Sequence, residues 1–353
     1  MFGKKKHKLL IWSVIFSGLI TSCSNEVEVV VGHEIHGESQ GTTYTIIIAE
    51  EELKVDKAEV DFVLAQFDTI LSTYIPSSEI SQLNESEIGF SFNDSNHFFK
   101  NCYELSRIVY EESDGAFDPS VFPLVKGWGF FKKMETPLSQ TEVDSIRAFV
   151  TFEKNKLHTI SFQNDSIHFE KKDARFKLDF NAIAQGYSID VLYDLLVKKG
   201  HENFYIELGG ELRVKGKNRE GENWRIGIDT PEELNSGTDE RAISGILSLS
   251  NKAVATSGNY RNYYEIDGKK FAHTLNPKTG FPVQHSLLSA TVIADNCAIA
   301  DAFATVFMVV GMEEAKRIIL DSRYELDAVL IFQDKQGNLT HFATPGAEKM
   351  LEQ

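Results

Sequence analysis

Cysteine is scarce, with three residues in 353, and no C-x-x-C or paired-histidine spacing occurs, which removes the usual zinc sites. Cys102 and Cys297 each fall in an apolar helical pattern, so they read as buried free thiols rather than a disulfide. Basic residues are in deficit: 36 Lys and Arg face 52 Asp and Glu, a formal charge of −16. An acidic body of this kind argues against nucleic acid as a partner. Internal repeats are absent, and no linker divides the chain into independent domains. Hydrophobic content of 42% and charged content of 25% are ordinary for a globular protein with a large core.

The start of the chain departs from that average. Lys4, Lys5, Lys6 and Lys8 precede the apolar stretch Leu9 to Ile20, which is too short to span a bilayer as a mature helix. Ile20-Thr21-Ser22-Cys23 follows and resembles a bacterial lipobox; the plainer alternative is a secretory signal with a chance cysteine. The expectation is a signal over 1–22, lipidation at Cys23, a tether over 23–38 and one domain over 39–353, exported, lipid-anchored and facing the periplasm. Removing 1–22 subtracts four lysines, taking the formal charge to −20.

Hydrophobic periodicity predicts helices through Val60–Leu71, Phe98–Val109, Ile183–Leu196, Cys297–Val310 and Glu313–Leu320. It predicts strands over Thr43–Ala49, Ile160–Phe169, Phe176–Asp179, Phe204–Leu208, Trp224–Asp229, Gly245–Leu249, Tyr263–Ile266, Ser289–Ala294 and Ala328–Gln333. Polar Glu232–Glu240 reads as a loop. Runs of strands without regular alternation favour an α+β fold of mainly antiparallel sheets.

Asp301 lies inside the apolar helix, with Thr305 one turn on and on the same face. A buried carboxylate survives when it is paired, hydrogen-bonded or coordinating a cation, and a carboxylate with a hydroxyl suits Mg²⁺. A helix-start aspartate favoured by the dipole is the equal alternative at this point. Asp118, in Gly115-Ala-Phe-Asp-Pro-Ser120, reads first as a turn-former. Asp179 and Asn181 stand where a helix cap would. The Thr256-Ser257-Gly258 turn with Arg261 offers groups for a phosphate, and His273, beside Asn276-Pro-Lys-Thr-Gly280, offers a base near neutral pH.

Taken in order, these segments resemble the ApbE family of FAD:protein FMN transferases, including its lipoprotein members. The resemblance rests on Gly41-Thr42-Thr43, Ser72 to Ser81, Gly115-Ala-Phe-Asp118 and Pro123-Leu-Val. It continues through Leu178-Asp179 to Gly186-Tyr187, Gly209-Gly210, Thr256 to Arg261, His273 to Gly280, and Ala300-Asp301 to Thr305. It implies a two-lobed single domain related to the T-fold, and Mg²⁺-dependent transfer of the FMN half of FAD onto a threonine of an acceptor protein, releasing AMP. It implies metal ligation by Asp301, Thr305 and the Ala182 carbonyl. It implies flavin-nucleotide contacts at Gln40, Tyr74, Ala116, Phe117, Asp118, Asp179, Gln185 and Leu275, and His273 as the base. Gln40 stands where members often carry methionine, Gln185 where many carry glutamate or lysine, and Ala304 where some carry aspartate. Asp301 is thus expected to be the only side-chain carboxylate on the ion. The implied acceptor is a membrane redox-complex subunit. A Mg²⁺-dependent FAD pyrophosphatase and a non-catalytic FAD-binding lipoprotein are the competing readings.

Overall fold

The computed structural model describes residues 31–129, 136–230, 243–259, 263–266, 269–272 and 274–352. The signal segment, Cys23, Arg261, His273 and the Glu232–Glu240 loop lie outside them. The chain opens with the hairpin β1 (His33–Ser39) and β2 (Thr42–Ile48), followed by helices α1 (Lys57–Leu71) and α2 (Glu79–Glu85). Strand β3 (Gly89–Asn93) leads to α3 (Phe98–Glu112), a short 3₁₀ turn (Pro119–Val121), α4 (Phe122–Gly127) and α5 (Gln140–Arg147). Next come β4 (His158–Gln163), β5 (Ser166–Lys171) and α6 (Ala184–Lys198). Strands β6 (Phe204–Leu208), β7 (Glu211–Lys215), β8 (Trp224–Asp229), β9 (Ile243–Leu249), β10 (Ala253–Gly258), β11 (Tyr263–Ile266), β12 (Lys269–Ala272) and β13 (Leu287–Ala294) follow. Helices α7 (Cys297–Val310) and α8 (Met312–Asp321), strands β14 (Asp327–Gln333) and β15 (Leu339–Ala343), and α9 (Pro345–Met350) close the chain.

Eight strands form the main sheet in the order β1-β2-β6-β7-β10-β13-β14-β15, and every pairing between named strands is antiparallel. The fold is α+β, as expected. Alternation divides the sheet's two faces. Phe204, Ile206 and Leu208 of β6 pack with α1 and α6 residues such as Leu64 and Leu192, whereas Leu212 and Val214 of β7 pack with Trp224 and Leu249 of the β8–β9 hairpin. Helix α7 is buried on nearly all sides, which is why its sequence is apolar almost throughout.

Four local expectations are corrected. The tether ends before His33, because His33–Ser39 pairs along all of β2 as a polar edge strand with only Ile35 fully buried. Ile160–Phe169 is a hairpin rather than one strand, turned at Asn164, whose φ is 54°. Phe176–Asp179 is irregular, its ends held by Phe176 N–H to Asp173 O and Asp179 N–H to Pro119 O. Thr256-Ser257-Gly258 is the end of strand β10, paired with β13, not a turn. Cys102 and Cys297 are buried free thiols, as expected. No helix of the described residues is long and apolar enough to cross a membrane.

A histidine ring is built into the core. His158 is 1% exposed and packs near-parallel beside both Phe169 and Phe176, with centroids at 5.0 and 4.8 Å, in a cluster where those two rings also meet at 6.1 Å. Its Nε2 meets the Tyr103 hydroxyl at 2.7 Å, and its Nδ1 has no partner among the described residues. Burial pushes its pKa down from 6.5 to about 4. A depressed value means stability that is present above pH 6.5 and lost as pH falls toward 4. At ~1.4 kcal/mol per pH unit the loss approaches about 3 kcal/mol. Replacing both partners, His158→Phe with Tyr103→Phe, is expected to flatten this acid limb in urea titrations between pH 7 and 4.

Candidate active site around the start of helix α6

The turn before α6 and its first residues form the hub of the site. No side chain caps this helix from within: the Ncap is Ile183, and Asp179 instead accepts the Asn181 N–H at 2.8 Å, forming a local turn. The cap expected from Asp179 or Asn181 is therefore absent. It comes from another helix. Asp301 Oδ2 of α7 accepts the Gly186 N–H at 3.0 Å. The favour is returned, since Asp190 of α6 accepts the N–H groups of Cys297 and Ala298, the first two residues of α7, at 2.8 and 2.9 Å. Arg213 of β7 reaches Asp190 at 2.7 Å and lies over the Tyr193 ring at 3.6 Å.

This cross-capping needs close helices, and Gly186 permits it. A Cβ there would meet Cys297 O at 2.4 Å and Asp301 Cβ at 2.8 Å. Asp190→Ala would strip two α7 amides of their acceptor and leave Arg213 without its carboxylate. The expected cost is about 3–5 kcal/mol, read from urea midpoints, with Asp190→Asn milder because it keeps an acceptor.

The sequence-predicted residues gather around this hub. Thr305 Oγ1 lies 3.3 Å from Ser257 Oγ of β10, so the phosphate-binding candidate Ser257 stands beside the metal candidate. Gln185 donates its amide to Leu208 O at 2.8 Å, and Gly209, at φ 64°, lies so close that a Cβ would overlap that amide. Thr42 of the β1–β2 hairpin borders the same glycine, and Gly209 N–H donates to Thr43 O. Gln40 occupies the hairpin turn at φ 53°, with Gly41 at 76°, both left-handed as a type I′ turn requires. Its Nε2 is buried with no partner among the described residues.

On the other side, Asp118 accepts the Ser120 N–H and hydroxyl at 2.8 and 2.6 Å, so it is the turn-former expected. Asp179 N–H donates to Pro119 O at 2.7 Å, which joins this loop to the hub. Burial pushes both Asp118 and Asp179 up to about 6, against the hydrogen bonds each accepts. Asn181 reaches Thr73 at 3.4 Å, and the Asp179 charge acts on Tyr74, which is 70% exposed. Ala182 is half-buried in the turn between Asn181 and α6. Ala116 and Phe117 are buried in the main core, so their side chains shape the loop from below. Leu275 is set apart, in a satellite cluster with Leu124, Trp128 and Val143, whose loop is pinned by Trp128 Nε1 to Gly280 O at 2.7 Å.

Asp301 is 5% exposed. Burial pushes its pKa up to about 7, opposed by the Gly186 hydrogen bond and reinforced by Asp190. Ala304 predicts a lone carboxylate on the ion, yet a second acid lies close enough to feel the Asp301 charge. Glu211, at the start of β7, is pushed well up as well, by burial first and then by Asp301. Glu211 Oε2 is cut off from water and has no hydrogen-bond partner among the described residues. Among those residues no group of three His, Cys, Asp or Glu forms a metal cage. The donors fit a hard cation nonetheless: carboxylate and hydroxyl oxygens beside a helix-start turn are what Mg²⁺ takes when phosphates and water complete its shell. Asp190 and Glu211 went unread in the sequence. The signal for Glu211 was the Gly209-Gly210 pair before it, which lets the chain approach α6 closely.

The comparisons with known proteins bear on this arrangement. The profile of the ApbE family matches residues 40–330, which spans the hairpin turn, the hub and α7. The chain belongs to the ApbE family. It is 32% identical over 331 residues to the FAD:protein FMN transferase of Haemophilus influenzae, covering 91% of each chain. It is 32% identical to the enzyme of the same name from Vibrio cholerae, over 87% of this chain and 90% of that one. Among solved structures it is similar to the flavin transferase ApbE from Vibrio cholerae, with a TM-score of 0.77, 28% identity, and coverage of 91% and 99%. The apo flavinyl transferase ApbE of Pseudomonas stutzeri gives 0.77 at 30% identity, covering 90% and 96%. This ApbE chain is therefore an enzyme of the transferase class.

Proposed function

We propose that the protein transfers the FMN half of FAD onto a threonine hydroxyl of an acceptor protein, releasing AMP, and that Mg²⁺ assists. The observation that supports this most directly is the meeting of Asp301, Thr305 and Ser257 at the cross-capped start of α6. The names of its relatives supply the substrate class. Asp301, Thr305 and the Ala182 carbonyl would hold Mg²⁺, which when bound polarises a phosphoryl oxygen and offsets charge on the leaving group. Gln40 brings an amide donor with no other partner among the described residues, suited to a nucleotide oxygen. Asp118 and Asp179 stiffen the loops on either side through their own turns.

In the reaction, the threonine oxygen forms a bond to the flavin-side phosphorus and the anhydride P–O bond breaks. The electron pair leaves with AMP, and the hydroxyl proton passes to His273, the base the family resemblance assigns. Incubation with FAD, Mg²⁺ and an acceptor bearing a target threonine is expected to give a fluorescent acceptor band in a denaturing gel. Free FMN without labelled acceptor would instead identify a pyrophosphatase, and unchanged FAD a carrier. His273→Ala is expected to keep FAD binding and lose transfer; equal rates reject its role. We further propose export and lipid anchoring through Cys23, facing the periplasm, with a membrane redox-complex subunit as the acceptor. Cys23→Ala should then move the protein from the membrane to the soluble fraction.

A further inference from the structure

We propose that Glu211 is the second carboxylate of the cation site, acting with Asp301 from across the helix–sheet interface. The inference deepens the proposed function and rests on its cation. Its basis is the path of β7 along α6. Gly209, just before the strand, lies against Gln185, and Arg213, within the strand, pairs with Asp190. Glu211 sits midway between them in sequence, and alternation puts its side chain on the same face as Arg213. That places Glu211 opposite the stretch of α6 from Gln185 to Asp190, which contains Gly186, the residue Asp301 grips.

The neighbouring acid is already committed. Asp190 holds Arg213 and two α7 amides. Glu211 Oε2, by contrast, is sealed from solvent and has no hydrogen-bond partner among the described residues, and the one donor acting on this carboxylate is its own backbone N–H. A sealed carboxylate oxygen without a donor is costly, and a cation removes the cost by supplying the missing positive charge. The ion would then face two carboxylates rather than one. A dication with two carboxylate neighbours is held more tightly than one relying on a single acid, a hydroxyl, a carbonyl and the substrate's phosphates.

Binding, not turnover, tests this. Mn²⁺ is titrated by electron paramagnetic resonance into the full-length protein with FAD and no acceptor, for wild type, Glu211→Gln and Asp301→Asn. Glutamine keeps the shape and removes the charge, and circular dichroism confirms that each variant is folded. The expected result is tight binding by wild type, a Kd raised at least tenfold in Glu211→Gln, and no binding above free FAD in Asp301→Asn. If Glu211→Gln binds like wild type while Asp301→Asn does not, the Glu211 inference is overturned and the cation reading stands. If wild type itself takes up no Mn²⁺ beyond free FAD, the cation reading fails and Glu211 falls with it.

Discussion

Asp301→Asn is expected to leave the protein folded and to stop flavin transfer. Asparagine retains an oxygen that can accept the Gly186 N–H, so the cap that Asp301 gives α6 survives the change. What it cannot supply is a negative charge. A metal ion contributes several kcal/mol to a phosphoryl-transfer barrier, and each ~1.4 kcal/mol is tenfold in rate, so loss of the ion costs about a thousandfold or more. Thermal melts without metal should match wild type closely, while gel fluorescence of the acceptor disappears. An Asp301→Asn variant that labels its acceptor at the normal rate would sink the metal assignment. One that unfolds would show that the carboxylate is chiefly structural.

Gly186→Ala carries the second large effect, and its sign runs against helix propensity. In an exposed helix interior, alanine for glycine stabilises by about 1 kcal/mol. Here the added methyl would approach a backbone carbonyl oxygen, Cys297 O, to 2.4 Å. Neither partner is a flexible side chain, so α6 and α7 must separate. Overpacking of this kind costs about 1–3 kcal/mol, and the backbone clash puts this site at the high end. Because Asp301 sits at the same contact, transfer should fall by roughly a hundredfold even in molecules that remain folded. Denaturant midpoints and single-turnover labelling measure the two parts separately. A Gly186→Ala protein more stable than wild type would contradict the close packing of α6 on α7.

Much of this site could be read in the sequence because its signals are local. Asp301 stood out as one acid in an apolar helix, and the structure buries it to 5% exposure. The helical periods of α1, α3 and α6 were plain because each buries one face. What escaped depended on contacts between distant segments. Phe176–Asp179 looked like a strand from its alternating apolar residues, yet it has no ladder partner and is held by side-chain bonds such as Asn84 to Leu178. The β4–β5 hairpin turns at Asn164-Asp165, which lacks the glycine that marks such turns. Glu211 lies ninety residues before Asp301, and only the Gly209-Gly210 pair before it signals a close approach to α6. The α6 cap comes from another helix rather than from the residues upstream, where caps normally stand.

That exchange of caps binds the order of assembly to the chemistry. Asn296 caps α7 locally through the Ile299 N–H, but the Gly186 amide of α6 and the Cys297 and Ala298 amides of α7 find their acceptors only when the two helices dock. The oxygen that caps α6 belongs to the same carboxylate we propose for the cation. A molecule with these helices apart would have neither a proper start to α6 nor a site, and no partly formed site should persist. Backbone protons at Gly186, Cys297 and Ala298 should then exchange with solvent in a single opening event.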